Sequence, residues 1–192
     1  MGLGSGRWPG WHHERVTSDE GHRPDDQRSG AARSTPALAA LDAAGIAHRV
    51  IKHGPVRSLG EAAQARGVEP RDVVKTLVVR RSEDDFLFVL VPGDRTISWP
   101  KLRSLLGVSR LSMPDAEVAR HATGYERGTI TPFGSATAWP VIADERLRGR
   151  RITLGAGQHG LAVAVAADEV LLALDAIVAD VSDPEPAPSV RR

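Results

Sequence analysis

Val73-Val74-Lys75-Thr76-Leu77-Val78-Val79 is followed, after Arg80-Arg81-Ser82-Glu83-Asp84-Asp85, by Phe86-Leu87-Phe88-Val89-Leu90-Val91. Both apolar runs have the β-branched and aromatic composition of buried strands, and the short charged connection predicts an antiparallel hairpin. Lys75 interrupts the first run. Among the 25 lysines and arginines of the chain, Lys52, Lys75 and Lys101 are the lysines, so a lysine here stands out against an arginine background. An ammonium in such a strand is desolvated, paired or aimed into a cleft, each a reason to suspect function. The competing reading is a strand-edge lysine whose stem packs while its head reaches water.

Around this hairpin, helices and strands alternate. Thr35-Pro36 opens a helix that Gly45 closes, and Ile46 to Ile51 alternates as a strand. Ser58 with Glu61 is a capping-box pattern for an Ala-rich helix ending at Gly67. Ser98 and Pro100 start a helix that runs through Leu106, and a short helix spans Pro114 to Ala122. Val141-Ile142, Arg151 to Leu154, Leu161 to Val165 and Ile177 to Val181 read as strands, with a helix over 167–174. Too many strands are joined by short turns for a doubly wound parallel sheet. The expected fold class is α+β: a mixed, mostly antiparallel, curved and barrel-like sheet with peripheral helices.

Composition bounds the function classes. At 192 residues, 41% of them hydrophobic, the chain can build one substantial core, and no apolar run approaches the roughly 20 residues of a membrane span. The absence of cysteine rules out disulfides, a thiolate nucleophile and cysteine-ligated zinc. A net charge of +1 gives no general attraction to nucleic acid, so RNA contact would need a local basic face. Arg80-Arg81 and the run Arg146 to Arg151 are the candidates. Residues 1–34, with His12, His13 and His22 among charges, read as a disordered tail without a metal site, and residues 183–192 as a Pro-rich exit. The domain is expected over 35–182. No secretory leader is evident, which fits a cytoplasmic protein without a membrane partner.

Gly124-Tyr125-Glu126-Arg127-Gly128-Thr129-Ile130-Thr131-Pro132-Phe133-Gly134 is the second informative stretch. Its glycines permit close backbone approach, so the loop can offer several amides to a carbonyl or carboxylate. A pair of tight turns around a short strand is the plainer reading. Gly155-Ala156-Gly157-Gln158-His159-Gly160 is a further Gly-rich turn, without the Lys-Ser/Thr of a P-loop.

Taken in this order, the segments resemble the YbaK/prolyl-tRNA synthetase-associated domain family, YbaK/ProX-like deacylases that edit in trans. The resemblance rests on His53, on Arg66-Gly67-Val68-Glu69-Pro70-Arg71-Asp72 leading into Val73 to Val79, and on Val91-Pro92-Gly93-Asp94-Arg95. It continues in the Gly124-Tyr125 to Pro132-Phe133-Gly134 loop and in Gly155 to Leu161, covering about residues 36–181. It implies a metal-independent, cofactor-free aminoacyl-tRNA deacylase that hydrolyses the ester of Cys-tRNA(Pro)- or Ala-tRNA(Pro)-type mischarged tRNA. The acceptor end of aminoacyl-tRNA would be its partner, with an aminoacyl-tRNA synthetase as a further one and no DNA.

The implied catalytic residues are Lys75, Gly128 and Thr129. Tyr125, Ile130, Thr131, Pro132, Gly157, His159 and His53 would contact substrate. Lys75 would meet the terminal phosphate or the charge developing at the ester, while amides near Gly128 and Thr129 orient the carbonyl or water. Asp94 is a candidate partner of Lys75 or Arg95. No general base is evident. The rivals are a non-catalytic tRNA- or synthetase-binding module of the same fold and a hydrolase of another small acyl ester.

Overall fold

The computed structural model describes residues 34–186; residues 1–33 of the expected N-terminal tail, with its histidines, and residues 187–192 lie outside the described residues. Helix α1 (Pro36–Ala43) starts at Thr35, whose hydroxyl oxygen accepts the Leu38 N–H and whose hydroxyl donates to the Ala156 carbonyl at 2.7 Å. One residue thus caps a helix and ties it to a distant turn. Helix α2 (Leu59–Arg66) begins at Ser58, which accepts the Glu61 N–H, and ends at left-handed Gly67. The expected reciprocal bond is shifted by one residue: Glu61 accepts from the Arg57 N–H at 2.7 Å.

Three sheets form. Strands β1 (His48–Lys52), β7 (Leu161–Ala166) and β6 (Arg151–Gly155) make an antiparallel sheet in the order β1-β7-β6. The predicted hairpin is β2 (Val74–Ser82) with β3 (Asp85–Pro92), turned at Asp84 with φ +54°. Strands β5 (Val141–Asp144) and β8 (Ile177–Ala179) extend it in parallel, giving β2-β3-β5-β8. Strands β4 (Arg95–Ile97) and β9 (Ser182–Pro184) pair antiparallel. The sheets do not merge into one closed ladder; β2 and β6 meet at a parallel bridge between Val73 and Thr153. The class is α+β, with mixed and mostly antiparallel pairing.

The remaining helices are α3 (Trp99–Leu106), α4 (Ala116–Thr123) and α5 (Ala167–Ala173). Ser98 occupies the cap position of α3 without bonding its first amides. Two apolar clusters sit on the two faces of the β2–β3 sheet. Val74, Val78, Phe88 and Leu90 join one with Leu154, Val163 and Val165; Val79, Leu87, Val89 and Val91 join the other with Leu102 and Val181. Side-chain alternation along β2 therefore puts even residues on the β6–β7 side and odd residues, Lys75 among them, on the β4–β9 side.

Candidate functional site

Strand β2 is the edge of its sheet. Arg80 and Ser112 exchange N–H to carbonyl bonds of 2.8 and 3.1 Å, so residue 80 turns its peptide groups away from β3. Phe88, opposite Val78, gives its N–H to the Pro140 carbonyl, so that pair also faces its peptide groups outward. Antiparallel alternation then aims the backbone N–H and C=O groups of Val74, Thr76 and Val78 off the open edge. The edge is bridged at Val73 by Thr153 and at Arg80 by Ser112. Between the bridges opens a cleft of about 460 Å³, bordered by Arg66, Lys75, Thr76, Asp115, Gly128, Ile130 and Gly155 among others.

The loop facing this edge is held from behind. Thr129 donates its N–H and its hydroxyl to the Glu126 carbonyl at 2.9 and 2.8 Å. The amide expected to serve substrate is thus used, together with the hydroxyl, to close the turn, and Thr129 is buried. Of the loop residues that border the cleft, Arg127, Gly128 and Ile130, none donates its N–H to an acceptor among the described residues, so amides remain open there. Gly128 has φ +92°, a conformation glycine adopts without strain. Tyr125, Thr131 and Pro132 are buried beneath the loop, and the Tyr125 hydroxyl donates to the Phe133 carbonyl at 2.8 Å. Burial pushes the Tyr125 pKa up. With its ring under the loop, Tyr125 supports the loop and offers no stacking face.

The Gly155–Gly160 turn packs against the same loop. Gly157 gives its N–H to the Thr129 carbonyl at 3.1 Å and lies on the Tyr125 ring: a Cβ at Gly157 would come within 2.6 Å of it. His159 is exposed on this turn, its Nε2 3.2 Å from Glu126 Oε2. His53 takes the Gly160 carbonyl with its N–H, which seats the loop after β1 against the turn. Of the expected site residues, the cleft brings together Lys75, Gly128 and Ile130; Thr129, Tyr125, Thr131, Pro132, Gly157, His159 and His53 lie behind or beside it.

Lys75 is neither bare nor fully buried. Its side chain is 26% exposed and its Nζ lies 2.8 Å from Glu185 Oε2. Asp94, expected as a carboxylate partner, contributes its backbone: its carbonyl accepts the Glu185 N–H at 3.1 Å and so places Glu185 over Lys75. Arg95 donates instead to Ser182 Oγ and to the Ser182 carbonyl. Half of the arginines in the basic runs are engaged within the protein, Arg81 with Asp85, Arg146 with Asp144 and Asp180, and Arg150 with Asp72, while Arg80, Arg148 and Arg151 are exposed and form no ion pair among the described residues. Among the described residues no cluster of three or more His, Asp or Glu side chains is placed to hold a metal ion.

Two cleft residues escaped the sequence reading. Arg66 Nε and Thr76 Oγ1 are buried and have no hydrogen-bond partner among the described residues. Both stood inside quoted segments, but only packing reveals that their polar atoms are left open.

An α+β fold whose sheet edge is faced by a glycine-rich loop across a cleft defines the class. The chain belongs to the aminoacyl-tRNA editing domain family, which it matches over residues 53–172. It is 29% identical, with a TM-score of 0.72, to a solved structure described as a candidate trans-editing enzyme for prolyl tRNA synthetase, covering 82% of this chain and 99% of that one. A proline–tRNA ligase of Thermosipho melanesiensis is 34% identical over 101 residues, 52% of this chain but 18% of the ligase. EbsC of Enterococcus faecalis, described as a candidate Cys-tRNA(Pro)/Cys-tRNA(Cys) deacylase, is 25% identical over 129 residues, 67% of this chain and 79% of EbsC.

Proposed function

We propose that the chain is an aminoacyl-tRNA deacylase acting in trans, without a metal, on mischarged tRNA of the Cys-tRNA(Pro) or Ala-tRNA(Pro) type. The observation that carries this reading is the meeting around one cleft, in an editing-domain fold, of Lys75 and the Gly128 and Ile130 amides, which have no partner among the described residues. Hydrolysis of the ester needs water to add to the carbonyl carbon and the bond to the terminal ribose oxygen to break. The water's protons end on that ribose oxygen and in solvent, leaving a free amino acid and a 3′-terminal hydroxyl. Because an aminoacyl ester is already activated, positioning and stabilisation of the carbonyl oxygen as it gains charge supply the catalysis.

In this reading the Gly128 and Ile130 amides donate to that oxygen, and the outward peptide groups of Thr76 and Val78 orient the aminoacyl group along the β2 edge. Lys75 exchanges Glu185 for the negative charge of the substrate. The exchange costs little, since an ion pair this exposed is worth about 0–1 kcal/mol. Thr129, Tyr125 and Gly157 hold the loop in place. Such a second hydrolytic site is useful because a methylene in an apolar pocket gives a synthetase only about 1–3 kcal/mol of discrimination. A deacylase of charged tRNA works in the cytoplasm, where translation runs, beside the synthetase that makes the errors.

The test is single-turnover hydrolysis of a panel of mischarged tRNAs, with free amino acid esters alongside. Wild type is expected to deacylate a member of the panel, and Lys75→Ala to lose about a hundredfold or more of that rate while keeping its melting temperature. Binding of tRNA without turnover would establish a binding module instead. Turnover of free esters at rates equal to charged tRNA would make it a general esterase.

A further inference from the structure

Buried polar atoms in proteins are nearly always paired, because an unsatisfied one costs about 1–3 kcal/mol. Arg66 Nε and Thr76 Oγ1 break this rule in the same cleft. Arg66 is the larger anomaly. Its one side-chain hydrogen bond among the described residues is long, Nη1 to Thr153 Oγ1 at 3.4 Å. Arg71, Arg81, Arg146 and Arg150 each have a carboxylate within 4 Å, but no ion pair among the described residues includes Arg66.

The guanidinium sits in the last turn of α2, whose dipole favours a cation there, yet the nearby carbonyls do not serve it. Those of Ala63 and Gln64 already accept from Val68 and Gly67. Burial lowers the Arg66 pKa, the sign of a cation short of counter-charge, although a guanidinium remains charged at neutral pH. Of the other cations that border the cleft, Lys75 already has Glu185 and Arg127 is exposed to solvent, which leaves Arg66 as the one whose buried nitrogen lacks a partner among the described residues.

We propose that Arg66 and Thr76 form an oxyanion subsite in the cleft that takes a phosphate of the tRNA acceptor end, a role that rests on the deacylase reading above. The planar guanidinium matches phosphate geometry, and a threonine hydroxyl donates readily to phosphate oxygens. The aminoacyl group itself brings an α-ammonium, which Arg66 repels. The subsite therefore fixes direction: phosphate toward Arg66, ester toward the Gly128 loop.

The experiment compares wild type with Arg66→Gln, Thr76→Val and the exposed control Arg71→Gln. It measures binding of adenosine 5′-monophosphate against adenosine, and KM and kcat on the charged-tRNA panel as salt is varied. Wild type is expected to prefer the monophosphate by about ten- to a hundredfold, the value of a charge-assisted hydrogen bond, and Arg66→Gln to erase the preference. KM should rise by a similar factor in Arg66→Gln with kcat within about twofold, and the slope of log KM against log salt should become shallower by about 0.7. Thr76→Val, which removes the hydroxyl at nearly constant volume, should raise KM by about threefold. It reads the subsite even where Arg66→Gln does not fold.

Unchanged monophosphate preference in folded Arg66→Gln and Thr76→Val overturns the proposal. So does a fall in melting temperature with KM and salt slope unaltered, which would make Arg66 a strut between α2 and β6. Selective loss of activity on aspartyl and glutamyl esters would also overturn it, by making a side-chain carboxylate the ligand. If wild type hydrolyses no charged tRNA but Arg66→Gln still erases the monophosphate preference, the deacylase reading falls while the subsite stands.

Discussion

Gly157 shows how the loop depends on single residues packed behind it. Its φ is +77° and its Cα faces the Tyr125 ring, so any Cβ meets both backbone strain and a clash. Gly157→Ala is expected to destabilise the protein by about 1–3 kcal/mol, read as a lowered midpoint in urea unfolding. Lys75 was legible as a residue that needed explaining, since a lone lysine in a Val-rich run violates the local pattern. Its partner was not, because Glu185 lies at the far end of the sequence in a Pro-rich stretch. Arg66 left no trace at all: an arginine before a helix-ending glycine is ordinary, and only the packing of α2 onto Thr153 strands its Nε. The place of Thr129 was not legible either, because a threonine next to a loop glycine does not reveal that both of its donors close the turn at Glu126.

At the level of elements, the long runs declared themselves and the short ones did not. The β2–β3 hairpin follows from two apolar runs and a charged turn. Strands β4 and β9 are three residues each, and Asp183-Pro184 reads as an exit until Ser182 is seen to anchor it. That anchor is Asp144, 0% exposed, which accepts the Ser182 hydroxyl at 2.6 Å, the Val181 N–H at 3.3 Å and the Arg146 guanidinium at 3.2 Å. Asp144→Ala strips the acceptor from this cluster and is expected to cost about 3–5 kcal/mol, measured by chemical denaturation.

Around it, bonds from Arg146 and Lys101 hold the Asp180 carboxyl below its usual 3.8, and bonds from Ser98 and Lys101 do the same for Asp183. Such groups bind fewer protons folded than unfolded. Their contribution is therefore complete above the unfolded value and fades as pH falls through the depressed one. The melting temperature should drop between about pH 5 and pH 3, and Asp180→Asn should flatten that drop in thermal scans.

Across the whole molecule, sheets that local pattern cannot align are brought together by long-range contacts: the parallel β3–β5 and β5–β8 pairs and the Val73–Thr153 bridge. Pairings of this kind join segments whose own residues say only that they are strands. The β4–β9 pair belongs to the same set, which gives the chain's last described residues a structural role. Ending the chain after Val181 should lower the melting temperature by several degrees, while ending it after Pro186, which keeps β9, should leave it within about a degree.

The open edge of β2 has one more consequence. A Val-rich strand with free peptide groups is the kind of template on which proteins stick to their own copies and grow into fibrils. Here the exposed stretch is confined to residues 74–79 by a bridge at either end and recessed behind the Gly128 loop. The loop that shapes the cleft thereby also shields the chain from self-association.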